Sequence, residues 1–402
     1  MSVLFTPRNI GNVQIKNRFV HSATYEAMAT PEGEVTEKLI KRYRRLAKNE
    51  VGLIIPGYMY VNQVGKCGPF QTGLDKDNLI PGLKKLVDTV HQNGSKIFVQ
   101  LVHAGRQTTK DFTSHRPVGP SDHGRDPFYM VRPRPLKEYE IDDVIEDFGE
   151  AVRRAVTTGV DGIQLHCAHG YLINQFLSPF FNKRQDQWGG SDENRFRFLK
   201  EVIRESRKKM PEGMPLIVKL NTNDYTPKNG LNPNMAATYA KWLYEAGING
   251  VEISCGTGVY SLFNTCRGEV PIKELVSGMP LWKKPLGWMM MKSIEGKFNL
   301  EEGYNVEAAK LIKPMINGLP LLTVGGFRRL AHMQEVVEKG TSDFISMSRP
   351  FIREPQLVKD FTEGKKEIAT CESCNKCLAA VIANKPVQCY NKGFRKVEEN
   401  ED

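Results

Sequence analysis

The chain has 402 residues, of which 40% are hydrophobic and 25% charged, a globular balance that supports a sizeable core and confines disorder to ends and loops. Its net charge is +10, yet the cations are spread over helical patterns such as Lys38 to Arg45 and Arg204 to Lys209, without the interleaved aromatics of a nucleic-acid surface. No run approaches about 18 consecutive apolar residues, and the start MSVLFTPRNIGN lacks a basic region followed by an apolar one, so a cytoplasmic protein, neither exported nor membrane-bound, is expected.

Along the chain, short apolar runs alternate with amphipathic helical patterns. A strand over Arg18 to Ala23 precedes a helix over Thr36 to Lys48, Val51 to Pro56 precedes Ile80 to Gln92, and Lys96 to His103 precedes Ile141 to Thr158. Gly162 to His166 is followed by Glu193 to Lys209, Leu216 to Leu220 by Asn234 to Ala246, and Gly250 to Ser254 by Val306 to Ile316. Leu321 to Val324 leads to Arg328 to Lys339, and Asp343 to Met347 closes the series. Eight nearly continuous apolar strands separated by helices imply a parallel sheet buried on both faces, an α/β fold of the (β/α)8 TIM barrel type over residues 1–355. Residues 356–402 form a short cysteine-rich C-terminal extension.

Barrels of this kind carry their chemistry where the strands end. Ser22, Thr24 and Tyr25 stand at the end of strand one, Gln100 and His103 at strand three, and His166, His169 and Tyr171 at strand four. Strand five bears Lys219 and Asn221, and strand six leads to Ser254 and Cys255. The connections Gly105 to Glu140 and Gly256 to Tyr304 are long enough to bind or cover something. In the second, Tyr260, Phe263, Trp282, Trp288 and three consecutive Met residues form either an apolar lid or an insertion packed on the rim.

Within GIQLHCAHGYLINQFL, His166 and His169 are spaced to donate hydrogen bonds to one oxygen and polarise a carbonyl, and Tyr171 to deliver a proton to carbon. An HxxH metal pair competes with this reading, but no Asp or Glu occupies those strand ends to complete it. Gln100, in QLVHAGR, offers a donor and an acceptor to a flat heterocycle. Gly325 and Gly326 after strand seven, with Ser348 and Arg349 after strand eight, supply backbone amides and a guanidinium where barrels often bind phosphate. Cys371, Cys374, Cys377 and Cys389, a CxxCxxC run and then eleven residues to the last thiol, can complete a tetrahedral zinc site or a [4Fe-4S] cluster. Cys67, Cys167, Cys255 and Cys266 read as buried apolar residues.

The motifs NRFVHSAT, QLVHAGR, HCAHGYLINQFLSPFFNKRQDQWGGSDENR and the VGG and SRPFIREP blocks, in that order, resemble the old yellow enzyme family of NAD(P)H:flavin oxidoreductases. The tail resembles the flavin and iron–sulfur subgroup that includes 2,4-dienoyl-CoA reductase and trimethylamine dehydrogenase. The resemblance implies FMN, with NADH or NADPH as reductant, and places Ala23, Thr24 and Gly57 along the flavin ring and Gln100 at its pyrimidine edge. His166 and His169 would hold the substrate carbonyl and Tyr171 would donate the proton. Lys219 stands where the family usually has Arg, beside the flavin N1 and O2, keeping the cation but losing a bidentate contact. Tyr25 takes the place of the Thr, Cys or His that tunes the flavin in relatives. At the tail the resemblance favours iron–sulfur over zinc, although the first gap pattern is one residue shorter than in dienoyl-CoA reductase. The sequence stops at Asp402, so second flavin and nicotinamide domains are expected to be absent.

The expected function is therefore an ene-reductase that reduces the activated C=C bond of a small enone-type substrate. The alternative is an iron–sulfur flavoprotein that exchanges single electrons with a partner protein through its tail. Assembly into a homo-oligomer is compatible with either, and a nucleic-acid or membrane partner with neither.

Overall fold

The computed structural model describes residues 2–391 except Pro127 and Pro280; residues 392–402 of the expected extension lie outside the described residues. Eight parallel strands close on themselves: β1 (Phe19–His21), β2 (Leu53–Ile54), β3 (Lys96–Val102), β4 (Gly162–Cys167), β5 (Leu216–Asn221), β6 (Gly250–Ser254), β7 (Leu321–Val324) and β8 (Phe344–Met347), which pairs back with β1. The helices packed around them are α1 (Glu37–Lys48), α2 (Ile80–Gln92), α3 (Glu138–Thr157), α4 (Asp192–Lys208), α5 (Pro233–Glu245), α6 (Val306–Ile312), α7 (Leu330–Glu338) and α8 (Leu357–Thr362). The chain is a (β/α)8 barrel, as its alternating pattern requires. No helix among the described residues is long and apolar enough to cross a membrane.

Local chemistry sets the element boundaries. The Thr36 hydroxyl accepts from the Leu39 amide at the head of α1, and Leu39, Ile40, Tyr43, Leu46 and Ala47 then recur at helical spacing on its buried face. Asn232 caps α5 with Pro233 in its first turn, where the missing N–H costs nothing. The helix expected to run to Ile316 instead tightens into a 3-10 turn at Lys313–Ile316, because Pro314 supplies no amide proton to an α-helical ladder. The second strand is shorter than expected because Pro56 cannot extend the ladder.

The interior is layered. At its base an apolar floor joins Val20, Leu53, Phe98, Ile217, Leu322 and Phe344 to Ile10 and Ile15 of an N-terminal hairpin, Arg8–Ile10 against Val13–Ile15, that plugs the barrel. A larger apolar shell lies between strands and helices. The eighth helix, α8, belongs to this shell: Leu357, Val358 and Phe361 are buried, with the Phe361 ring 6.0 Å from that of Phe19. It thus falls beyond residue 355, in the segment read from the sequence as extension. The insertion after β6 folds into short helices around a core of its own, Phe263, Val270, Ile272 and Val276, against which Leu378 of the tail packs. Trp282 and Trp288 are exposed, at 77% and 52%, so they are not turned into the barrel as lid residues would be.

Gly162 opens β4 against the Phe98 ring, and a Cβ there would stand 2.8 Å from ring carbons that have no exposed surface. Gly162→Ala should therefore overpack the floor and destabilise the fold by about 1–3 kcal/mol. A lower urea midpoint at unchanged m-value is the expected result, and an unchanged midpoint would mean that the ring has room to move.

Candidate active site at the barrel mouth

Above the apolar floor lies a polar layer drawn from five strands or strand ends. Gln100 Nε2 donates to Gln164 Oε1 at 2.5 Å, and Gln164 Nε2 donates to Glu252 Oε2 at 2.8 Å. Lys219 Nζ lies 3.3 Å from the same Glu252 oxygen and donates to Ser22 Oγ at 2.6 Å. All five residues are buried, and among the described residues Gln100 Oε1 and Glu252 Oε1 have no hydrogen-bond partner. Ser22, Gln100 and Lys219 stand at positions singled out from the sequence; Gln164 and Glu252 do not.

The next layer is the His166, His169 and Tyr171 group, which the fold does bring together. The His166 ring centroid lies 5.0 Å from that of His169 and 4.8 Å from that of Tyr171. The convergence depends on two successive left-handed residues after β4, His169 (φ 60°) and Gly170 (φ 80°), which turn the chain back over the barrel. A non-glycine residue pays steric strain for that conformation, and here the turn is held from outside. The His169 carbonyl accepts from Gln107 Nε2 at 2.8 Å and from the Gly258 amide, and the Gly170 amide donates to Asn174 Oδ1 at 2.6 Å.

Burial sets the protonation states. It drives the His169 pKa down to about 3, helped by the nearby Lys219 charge, and holds His166 well below the usual imidazole value, with His169 and Lys219 adding to the effect. Both rings are neutral near pH 7. The Ala168 amide donates to His166 Nδ1 at 3.3 Å, so the ring proton of His166 is on Nε2 and free to be donated. His169 Nε2 meets Ser254 Oγ at 2.7 Å. The Tyr171 hydroxyl donates to the Tyr58 hydroxyl at 2.7 Å, and burial raises both phenols well above their ordinary pKa, so each keeps its proton. Tyr58 extends the site to Tyr25, whose ring stacks on it at 6.0 Å. Tyr58 was not picked out from the sequence, although it directly follows Gly57 at the end of β2.

The remaining candidates lie around this mouth. Thr24 Oγ1 and Ser348 Oγ are 2.6 Å apart, joining the ends of β1 and β8, and Ala23 packs against the apolar floor. Gly57 must be glycine, since a Cβ would stand 2.0 Å from Glu26 Oε2, and its amide donates to Glu26 Oε1 at 2.7 Å. The backbone of Gly325 and Gly326 lies against residues 300–305. Arg349 Nη1 donates to the Arg267 carbonyl at 2.7 Å and to Asn375 Oδ1 at 2.6 Å, so this side chain ties the insertion to the tail. The buried Gln100 acceptor without a partner and the Lys219 ammonium suit a flat polar heterocycle, the chemistry of a flavin ring.

Cys371, Cys374, Cys377 and Cys389 line one small cavity. Arg328 Nη2 lies 3.6 Å from Cys371 Sγ, and Arg353 Nη1 lies 4.0 Å from Cys389 Sγ, so guanidinium N–H groups already face two of the sulfurs. Among the described residues no three His, Cys, Asp or Glu side chains converge as ligands of a single metal ion. The donor set is soft, anionic when ionised, and flanked by cations, chemistry that suits either an iron–sulfur cluster or zinc.

The buried imidazoles carry a pH consequence. His21 and His103, like His169, are pushed by burial to about 3, against 6.5 for an exposed ring. The unfolded chain therefore takes up protons below pH 6.5 that the folded chain does not. Their contribution to stability is complete above pH 6.5 and is lost as the pH falls toward 3, by up to about 1.4 kcal/mol per unit for each ring. His103→Gln should flatten the decline of unfolding free energy between pH 6.5 and 5 by about that amount per unit, as measured by denaturant titration. A slope identical to that of the parent protein would place the proton uptake elsewhere.

Residues 3–259 match the model of the NADH:flavin oxidoreductase / NADH oxidase family. Over 375 residues the chain is 34% identical to an NADH oxidase of Thermoanaerobacter brockii, covering 92% of this chain and 52% of that protein. It is 31% identical to a metal reductase of Desulforamulus reducens, with 97% and 53% covered. The chain thus spans about half the length of these two relatives. Among solved structures, a 2-naphthoyl-CoA reductase in complex with 2-naphthoyl-CoA superposes with a TM-score of 0.84 at 26% identity, over 96% of this chain and 56% of that one. The shared barrel and the extent of the match lead to one conclusion: the chain belongs to the NADH:flavin oxidoreductase / NADH oxidase family, the old yellow enzyme family.

Proposed function

We propose that the chain is an FMN-dependent NAD(P)H oxidoreductase that reduces the activated C=C bond of an α,β-unsaturated carbonyl compound. The observation that carries this reading is the convergence of two neutral imidazoles and a protonated phenol within 5.0 Å over a buried polar layer. Gln100, Lys219, Ala23, Thr24 and Gly57 would hold the flavin ring, and the backbone around Gly325, Gly326, Ser348 and Arg349 its phosphate. FMN would relay hydride from the nicotinamide to the substrate β-carbon.

The protein's own part is orientation and proton management. His166 Nε2–H is free to donate to the substrate oxygen, and His169 can join it by exchanging its Ser254 contact for that oxygen. Their low pKa keeps them hydrogen-bond donors without full charge, so they polarise the carbonyl while leaving protonation to the phenol. Tyr171 gives its proton to the α-carbon once its O–H turns away from Tyr58, whose own hydroxyl can then donate to the Tyr171 oxygen. The 2-naphthoyl-CoA of the related complex is a conjugated thioester, which supports a substrate whose double bond is conjugated to a carbonyl.

Tyr171→Phe should slow flavin reoxidation by an enone about 10²–10⁴-fold while leaving flavin reduction by NAD(P)H nearly unchanged, because the proton is needed only in the second half-reaction. Stopped-flow traces in which both halves slow alike would remove Tyr171 from the donor role.

A second reading, in which the tail passes single electrons to a partner protein, is favoured by the four cysteines on one cavity. Under it the cavity holds a [4Fe-4S] cluster; four thiolates on one zinc are the other option. Anaerobically prepared protein should contain about four iron and four acid-labile sulfides per chain. One zinc per chain, or four thiols that alkylate freely in the native protein, would contradict the cluster. Replacing the four cysteines by Ser should abolish electron delivery to a partner if this reading holds, and spare enone reduction if it does not.

A further inference from the structure

The donation sequence in the polar layer runs in only one sense. A carboxylate accepts and does not donate, so Gln164 must turn its amide nitrogen toward Glu252 Oε2 and its oxygen toward Gln100. Gln100 must in turn point its nitrogen at Gln164, which fixes Oε1 as a buried acceptor that has no partner among the described residues. The polarity of Gln100 is therefore set two residues away, by Glu252.

The same carboxylate faces the only cation of the layer. Lys219 and Glu252 are register partners on β5 and β6, 3.3 Å apart, with side chains 3% and 0% exposed. Solvent and salt screen such a pair little. Lys219 alone would stabilise added negative charge on a neighbouring ring; paired with Glu252 it does so much less. One further feature sets Glu252 apart from a simple counterion: its Oε1 has no partner among the described residues, although full burial normally requires one.

We propose that Glu252 is a positioning residue of the cofactor pocket: through Gln164 it fixes the acceptor that Gln100 presents, and by offsetting Lys219 it lowers the reduction potential of bound FMN. The proposal rests on the reading that FMN occupies this pocket. It goes beyond that reading in assigning the tuning charge to Glu252, a residue to which that reading gives no role.

The test is a spectroelectrochemical titration of the FMN-loaded protein, followed at the flavin absorbance. Glu252→Gln keeps the shape and removes the charge, and should move the reduction equilibrium about tenfold toward reduced flavin, about 30 mV for a two-electron couple. Glu252→Asp keeps the charge and should remain near the parent protein. A merely structural carboxylate would change the melting temperature without moving the potential. Coinciding potentials for Glu252→Gln and the parent overturn the proposal, as does an Asp variant that shifts as far as the Gln variant. If Glu252→Gln is recovered without flavin, Lys219→Gln is compared with Lys219→Gln/Glu252→Gln. The double variant should then have the higher potential, and equality overturns the proposal. Parent protein that binds no FMN overturns the functional reading as well, whereas bound FMN with no shift overturns this inference alone.

Discussion

A closed barrel offers no route to solvent for a charge placed midway along a strand, and this one places two there, Lys219 and Glu252, side by side in the β5–β6 register. Each makes the other tolerable, and the amides of Gln164 and Gln100 are drawn into line by the same carboxylate. Everything above this layer inherits its order. Ser22, at the end of β1, is anchored by Lys219, and Thr24 two residues later is joined to Ser348 at the end of β8. The apolar floor beneath, sealed by the N-terminal hairpin, keeps water from relaxing the arrangement from below.

The mouth obeys a second constraint, the sharp reversal after β4. With the left-handed pair His169 and Gly170 the chain leaves the strand and re-enters over the barrel axis, so three side chains close in sequence also become close around one volume. The reversal is braced by Gln107 from the loop after β3 and by Gly258 from the insertion after β6. Two long loops thus have a positioning role at the site even where their side chains face away from it. Low dielectric does the rest: neutral imidazoles and protonated phenols follow from burial, and that combination suits carbonyl polarisation with proton delivery.

The tail and the insertion form a third unit at the same rim. Arg349 reaches from the end of β8 to Arg267 in the insertion and Asn375 in the tail, and Asn375 Nδ2 donates back to the carbonyls of Cys266 and Glu269. Arg328 joins the end of β7 to Cys371 and Ser373. The cysteine segment is therefore tied to the strand ends through arginines, which places any group held by the thiols next to the loops that follow β7 and β8.

Much of this was legible in the sequence because it depends on local pattern. The eight strands, the helices between them and the grouping of His166, His169 and Tyr171 after strand four follow from residue periodicity and from short motifs whose members are neighbours in the chain. What the sequence left open is what long-range register decides. Gln164 and Glu252 interrupt apolar strands, GIQLH and GVEIS, and that interruption was the visible signal; yet only closure of the barrel brings them between Gln100 and Lys219. Tyr58 likewise acquires meaning only when the return of the chain after β4 sets Tyr171 against it, 113 residues away in sequence. Arg349 shows the opposite case: its position suggested phosphate, and packing gave one end of its guanidinium to Arg267 and Asn375. Composition and periodicity determine which elements form, because those are short-range properties of the chain. Which buried polar groups meet is decided by tertiary structure, because a buried donor or acceptor must be satisfied by whatever the closed barrel brings within reach.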